Sequence, residues 1–231
     1  MIVNHASFHL NWNIHQQHIL ENATKLVIGS FNPFIPNING NNAPFFYGRN
    51  SNYFWKSIAI NLGFENDYYF DLNEGALRRL NCMDEYGFYF LDIISSIEII
   101  GINELHEAHF VQEKIYQNFS DSVLFTTNTD FDGHNITINK TYNEDLNLLL
   151  QENNFQTIIH TLGNKRINED FVTTPVGGGF QHFINGLFPL QNNFVPVSFS
   201  PSQLSVNRQG GINGPYFMGL CNWLNITLLA V

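Results

Sequence analysis

The chain has 231 residues, enough for one large α/β domain or a domain with elaborate loops, and its 44% hydrophobic and 15% aromatic content, with 22 Phe, is ample for a core. Ten basic against twenty acidic residues give a net charge of −10, which argues against the broad basic footprint of most nucleic-acid-binding domains. No apolar run is long enough to span a bilayer, Met1–Leu10 lacks a secretory h-region, and the two cysteines, Cys82 and Cys221, cannot build a Cys-only cluster. A cytoplasmic, monomeric protein without membrane, metal or other cofactor is expected.

Four short apolar runs read as buried strands: Lys25–Phe31, Phe88–Ile94, Thr157–Leu162 and Phe194–Phe199. Pro196 interrupts the last, which is therefore expected to lie at an edge or to be shorter than the run. Helical patterns lie between them. Tyr53–Leu62 carries Phe54, Ile58 and Leu62 on one side, with Gly63 as a stop. Further helices are expected over Asn103–Phe119 and Asn143–Asn153. Asp121–Thr141 is β-rich, with a turn at Asp132-Gly133, and reads as a hairpin or an additional strand. Strands alternating with helices indicate a mainly parallel sheet covered on both faces, in which a site lies beyond the carboxyl ends of the strands. No repeat or linker divides the chain, so residues 1–231 are expected to form a single domain.

The strand ends carry the informative residues. The first ends in Gly29-Ser30-Phe31-Asn32-Pro33 and is followed about a dozen residues later by Phe45-Phe46-Tyr47-Gly48-Arg49-Asn50-Ser51-Asn52-Tyr53-Phe54-Trp55. The last runs into Ser198-Phe199-Ser200-Pro201-Ser202-Gln203-Leu204-Ser205. In this order the segments resemble the mismatch-specific uracil/thymine and hypoxanthine branches of the uracil-DNA glycosylase superfamily. Those branches have a G-x-N-P-G or G-S-M-P-G turn, an aromatic element leading into N-x-F-W, and a Pro-Ser or Ser-Pro loop. The resemblance covers most of the chain, and Asn52-Tyr53-Phe54-Trp55 is its most specific part.

The resemblance implies a three-layer α/β/α sandwich around a mainly parallel four-stranded sheet. It also implies a monofunctional DNA N-glycosylase that hydrolyses the bond to a flipped-out base. Such chemistry needs a pocket that stacks on the extruded base and hydrogen bonds that strengthen as charge develops, for which uncharged amides are suited. Asn32 and Asn52 are the catalytic candidates. Aligned from Gly29, the family Asn falls on Phe31, with Asn32 one place later; Asn32 also reads as a turn residue before Pro33, and Asn52 as a helix N-cap. Phe31, Phe46, Tyr47 and Asp92 are candidates for binding the base, with a core role open for the aromatics and a capping role for Asp92. Asp92 stands where uracil-specific relatives carry Asn, and an ionised carboxylate accepts hydrogen bonds without donating any, which argues against uracil.

DNA contacts are expected from Arg49, Ser198, Ser200, Pro201, Ser202 and Leu204, the last as a wedge into the base stack. On one alignment of the final loop, Ser200 replaces a catalytic His of the uracil-specific enzymes. No Lys lies in these elements, so lyase chemistry through a Schiff base is not expected. His106 and His109 share a helix face without an evident third ligand, and Gly177-Gly178-Gly179 lacks the residues of a phosphate loop. Two other readings remain open: a glycosylase-like module that binds protein or nucleotide without this chemistry, and an unrelated nucleotide-using α/β enzyme.

Overall fold

The computed structural model describes residues 2–5, 21–32, 47, 52–71, 73–101, 128–131, 133–143, 155–161, 194–198, 201, 206–207 and 211. They form a mixed α/β fold with two four-stranded sheets, one parallel and one antiparallel. In chain order the elements are β1 (Ile2–Asn4), β2 (Lys25–Gly29), α1 (Phe54–Asn61), a 3-10 turn (Tyr68–Phe70), α2 (Gly75–Tyr86), β3 (Phe88–Asp92), β4 (Ile94–Ile100), β5 (Asn128–Phe131), β6 (His134–Tyr142), β7 (Thr157–His160) and β8 (Phe194–Ser198).

The parallel sheet has the order β3-β2-β7-β8 and contains the four strands expected from the apolar runs. β2 and β3 are continuous apolar segments because both faces are covered: Leu26, Val27 and Ile28 of β2 are buried, as are Phe88, Tyr89 and Phe90 of β3. Pro196 lies in the edge strand β8, where a missing N–H costs the ladder least. Pairing aligns Gly29 with Asp92 and Ile28 with His160, so Gly29, Asp92 and Thr161 come level at the carboxyl end. His160 pairs in turn with Ser198.

α1 begins one residue later and ends one residue earlier than the periodicity predicts, and Gly63 follows it with φ 78°. Phe54 and Trp55 are wholly buried and pack on the sheet through Phe88 and Phe90, the Phe54 and Phe90 centroids 5.1 Å apart. Burial of each such ring contributes about 2–3 kcal/mol. α2 ends at Gly87, whose φ of 63° is left-handed and free of Cβ strain. Lys25 Nζ donates to Tyr86 O at 2.7 Å, and Gly87 O accepts from Thr24 N and Lys25 N. The helix end is therefore fastened beside the start of β2, and β3 enters the sheet in register.

The antiparallel sheet has the order β1-β4-β6-β5. It is one-sided: Ile97 and Ile99 of β4 and Ile136 and Ile138 of β6 are buried while their neighbours face outward. β5 and β6 form the hairpin expected at Asp132-Gly133, with Gly133 at φ 77°. The run Phe88–Ile94 is not one strand. It leaves the parallel sheet after Asp92, turns at the buried Ile93, and continues as β4 in the other sheet. Ile93 N and Ile94 N donate to Gly29 O and Ser30 O, both at 3.0 Å, and so hold this crossing. The expected helices over 103–119 and 143–153 lie outside the described residues, apart from Asn143, which follows β6. Among the described residues no helix is long and apolar enough to cross a membrane.

Candidate active site at the carboxyl ends of the parallel strands

Strand order reverses at β2, with β3 on one side and β7 on the other, and open α/β sheets place ligands beyond the carboxyl ends at such a point. Gly29 is the floor of this place. A Cβ on Gly29 would run into Asp92 Oδ1 and lie 2.6 Å from the Tyr47 hydroxyl, so the two oxygens converge over one glycine.

Each oxygen is held from behind. Asp92 is 5% exposed, and its Oδ2 lies 2.6 Å from Nε2 of His5, which is 3% exposed. His5 follows β1, and its backbone N donates to Ser95 O at 2.9 Å. The Phe31 ring meets the imidazole in an edge contact at 5.9 Å. The backbone of Asp92 is also tied, through its carbonyl, to Asn143 Nδ2 at 3.3 Å.

Tyr47 has φ 56°, a left-handed backbone uncommon for a residue with a large side chain. Its hydroxyl is 2.7 Å from Thr161 Oγ1, and its ring stacks on Phe54 at 5.2 Å and leans on Phe90 at 5.5 Å. Thr161 Oγ1 donates to Ile28 O at 3.3 Å, and Thr161 N donates to the same carbonyl at 2.9 Å. A hydroxyl has one proton. Either the Tyr47 or the Thr161 hydroxyl can donate that proton in the bond between them.

Asn52 Oδ1 accepts from Phe54 N at 2.9 Å and caps the first turn of α1. Its carbonyl is committed to the helix, leaving the Nδ2 amide as the group with donating capacity. Tyr53 N donates to Pro201 O at 2.9 Å, joining the segment that opens α1 to the loop after β8. Asn32 follows Phe31 beyond β2, and both are half-buried. Ser198 closes β8. Phe46, Arg49, Ser200, Ser202 and Leu204 lie outside the described residues, as do His106, His109 and the glycine run at 177–179.

The structure thus brings Tyr47 and Asp92 together over Gly29, and Asn52-Tyr53 beside Pro201. Two contributors were not singled out in the sequence. Thr161 lay inside the third predicted strand and is exposed to view by the strand-end rule. His5 had no local signal, since only pairing of β1 with β4 carries it to Asp92.

Among the described residues, no three His, Cys, Asp or Glu side chains gather as a metal site requires. Two cavities of about 200 and 500 Å³ lie elsewhere, between Leu62–Asp71 and α2, around Phe64, Tyr68 and Arg78. Comparison with protein-family models, with curated proteins and with solved structures finds no match for the chain.

Proposed function

We propose that this chain is a monofunctional DNA N-glycosylase with a uracil-DNA glycosylase-like three-layer α/β/α architecture. The observation that carries the reading is the meeting of separate motif segments at one end of the parallel sheet. Tyr47 and Asp92 share the space over Gly29, and Tyr53 is bonded to Pro201. Segments far apart in the chain have no local reason to meet there. A common site supplies one.

In this reading the extruded base lies beyond the carboxyl ends of the parallel strands, with Asp92, Tyr47, Phe31 and Phe46 as its binding residues. Water adds to C1′ of the sugar and loses a proton to solvent. The glycosidic bond breaks with its electron pair going to the base, which leaves after protonation. Asn32 orients the water, and the Asn52 amide donates to the substrate through Nδ2. Arg49, Ser198, Ser200, Pro201, Ser202 and Leu204 hold the DNA strand. Amides and hydroxyls contribute here without adding charge, which suits an acidic protein.

A second reading, a binding module without hydrolysis, is favoured by the −10 charge and by the use of the Asn52 carbonyl as a cap. Incubation with oligonucleotides carrying uracil, hypoxanthine, xanthine, a G/T mismatch or modified guanines decides between them. Release of free base with an intact abasic strand is expected from at least one. Absence of base release from the whole panel removes the glycosylase reading.

A further inference from the structure

α1 carries Asn52 at its start and Phe64 beyond its end, so about 12 Å of helix separates the strand-end residues from the two cavities around Phe64, Tyr68 and Arg78. Phe64 and Tyr68 are stacked, their ring centroids 4.1 Å apart and their planes 8° from parallel. The Arg78 guanidinium lies 4.3 Å from the Tyr68 centroid. Two groups at that distance cannot share one face of a ring, so Tyr68 lies between Phe64 and Arg78. Arg78 is committed within the fold: it donates to Tyr68 O at 2.8 Å and pairs with Glu74. Phe64 is the open end of the stack. It is 42% exposed, and among the described residues no further ring stacks on it. Its backbone is fixed, because Phe64 N donates to Ala59 O at 2.9 Å and turn bonds run from Tyr68 N to Glu65 O and from Phe70 N to Asp67 O.

The charge around this ring is negative. Glu65, Asp67 and Asp71 line the larger cavity and Glu85 the smaller, while Arg78, which lines both, is already paired with Glu74. Backbone N–H groups of Glu74 and Asn73 hold the Asp71 carboxyl below its ordinary range, so it is ionised at neutral pH. Among the described residues, the Glu65 and Asp67 carboxylates meet no cation. An open aromatic face amid carboxylates attracts a cation through the ring quadrupole and through Coulomb attraction together. We propose that this groove binds an arginine side chain presented by a basic peptide segment, the guanidinium stacking on Phe64 and donating to the Glu65 and Asp67 carboxylates. A guanidinium is planar and can stack and donate to a carboxylate at once, whereas an ammonium is a point charge. Cavities of about 200 and 500 Å³ sharing one aromatic wall exceed what a single guanidinium fills and leave room for the chain that carries it. This surface is separate from the strand-end residues, and its binding does not depend on the glycosylase reading.

The test uses the full chain and three acetylated, amidated hexapeptides in which Gly alternates with Arg, Lys or citrulline, the last a neutral planar match for Arg. Binding is measured by isothermal titration calorimetry at low ionic strength. The Arg peptide is expected to bind about tenfold tighter than the citrulline peptide, the combined scale of an exposed cation–π contact and one or two surface ion pairs. It is also expected to bind more tightly than the Lys peptide. Phe64→Ala removes the stacking face and is expected to abolish the preference for Arg over Lys, whereas Phe64→Trp, with the stronger π-face, keeps or raises it. Asp67→Asn is expected to weaken the Arg peptide, while Glu98→Gln, which removes one exposed charge from the antiparallel sheet, leaves it unchanged. A ratio of two peptides on one sample does not depend on the folded fraction.

Equal binding of the Arg and citrulline peptides, binding of neither, or an unchanged Arg-to-Lys ratio in Phe64→Ala overturns the proposal. Equal weakening by Asp67→Asn and Glu98→Gln also overturns it, since the attraction is then that of an acidic protein as a whole. Ethylguanidinium binding as tightly as the Arg peptide overturns the peptide partner in favour of a small guanidino ligand. None of these outcomes bears on base release from DNA, which is measured separately.

Discussion

Asp92 Oδ1 occupies the space that any side chain on Gly29 would need, and the Tyr47 hydroxyl closes the same space from the other direction. Gly29→Ala must therefore displace both oxygens, and through them the contacts to His5 and Thr161. Overpacking of this kind costs about 1–3 kcal/mol. Urea unfolding of the variant is expected to show that loss, and a stability equal to wild type would mean that the two side chains yield freely.

Asn52 separates a structural from a chemical contribution. Asn52→Ala removes the cap on Phe54 N and is expected to cost about 1 kcal/mol by chemical denaturation. Asn52→Asp keeps an acceptor oxygen at the helix start and is expected to fold as stably as wild type, while losing the N–H₂ group. If the amide donates during hydrolysis, Asn52→Asp loses base release at unchanged stability. Retained turnover in that variant assigns Asn52 to the helix alone.

The hydroxyl relay is measurable as a coupling. Tyr47→Phe and Thr161→Val each break the 2.7 Å bond, and the double variant breaks it once. A double-mutant cycle on unfolding free energies is expected to return a coupling of about 1 kcal/mol. Strict additivity would show that the relay does not hold Tyr47 in place.

Alkaline pH should weaken the fold through Cys82. Burial beneath the 3-10 turn pushes its thiol up to about 12 from the ordinary 9.0, and burial also raises Tyr69 beside it. The folded state then holds these protons more tightly than the unfolded state. Stability is complete below about pH 9 and is lost as pH rises toward 12, with a slope from Cys82 of at most about 1.4 kcal/mol per pH unit. Urea midpoints taken from pH 8 to 11 should fall accordingly. In Cys82→Ala the midpoint should start lower and fall less steeply, Tyr69 accounting for what slope remains. A flat wild-type profile over this range contradicts the assignment.

The parallel sheet was legible because a strand buried on both faces is an unbroken apolar run, as in Leu26–Ile28 and Phe88–Phe90. Pro196 left an edge strand or a shortened one open, because a residue without N–H weakens the ladder, and β8 lies at the edge. β4 was hidden because its apolar start continues that of β3, and nothing in the side chains announces that Ile93 changes sheets. α2 escaped notice because Arg78, Arg79, Asp84 and Glu85 dilute its apolar stripe, although Cys82 and Met83 are buried and Arg79 packs over Trp55 and Phe70. Asp92 could be singled out as a strand end. Its partner His5, 87 residues away in sequence, could not, because that contact is a product of topology.

The position of His5 also bears on how the protein is prepared. An affinity tag fused ahead of Met1 would end four residues from the imidazole, on the order of 14 Å of extended chain. It would sit beside β1, whose pairing with β4 through Ile2, Val3 and Asn4 is what carries His5 to Asp92. A purification handle is therefore an experimental variable in this protein. Material tagged at the amino end and material tagged at the carboxyl end should be assayed side by side before absence of base release is taken to remove the glycosylase reading.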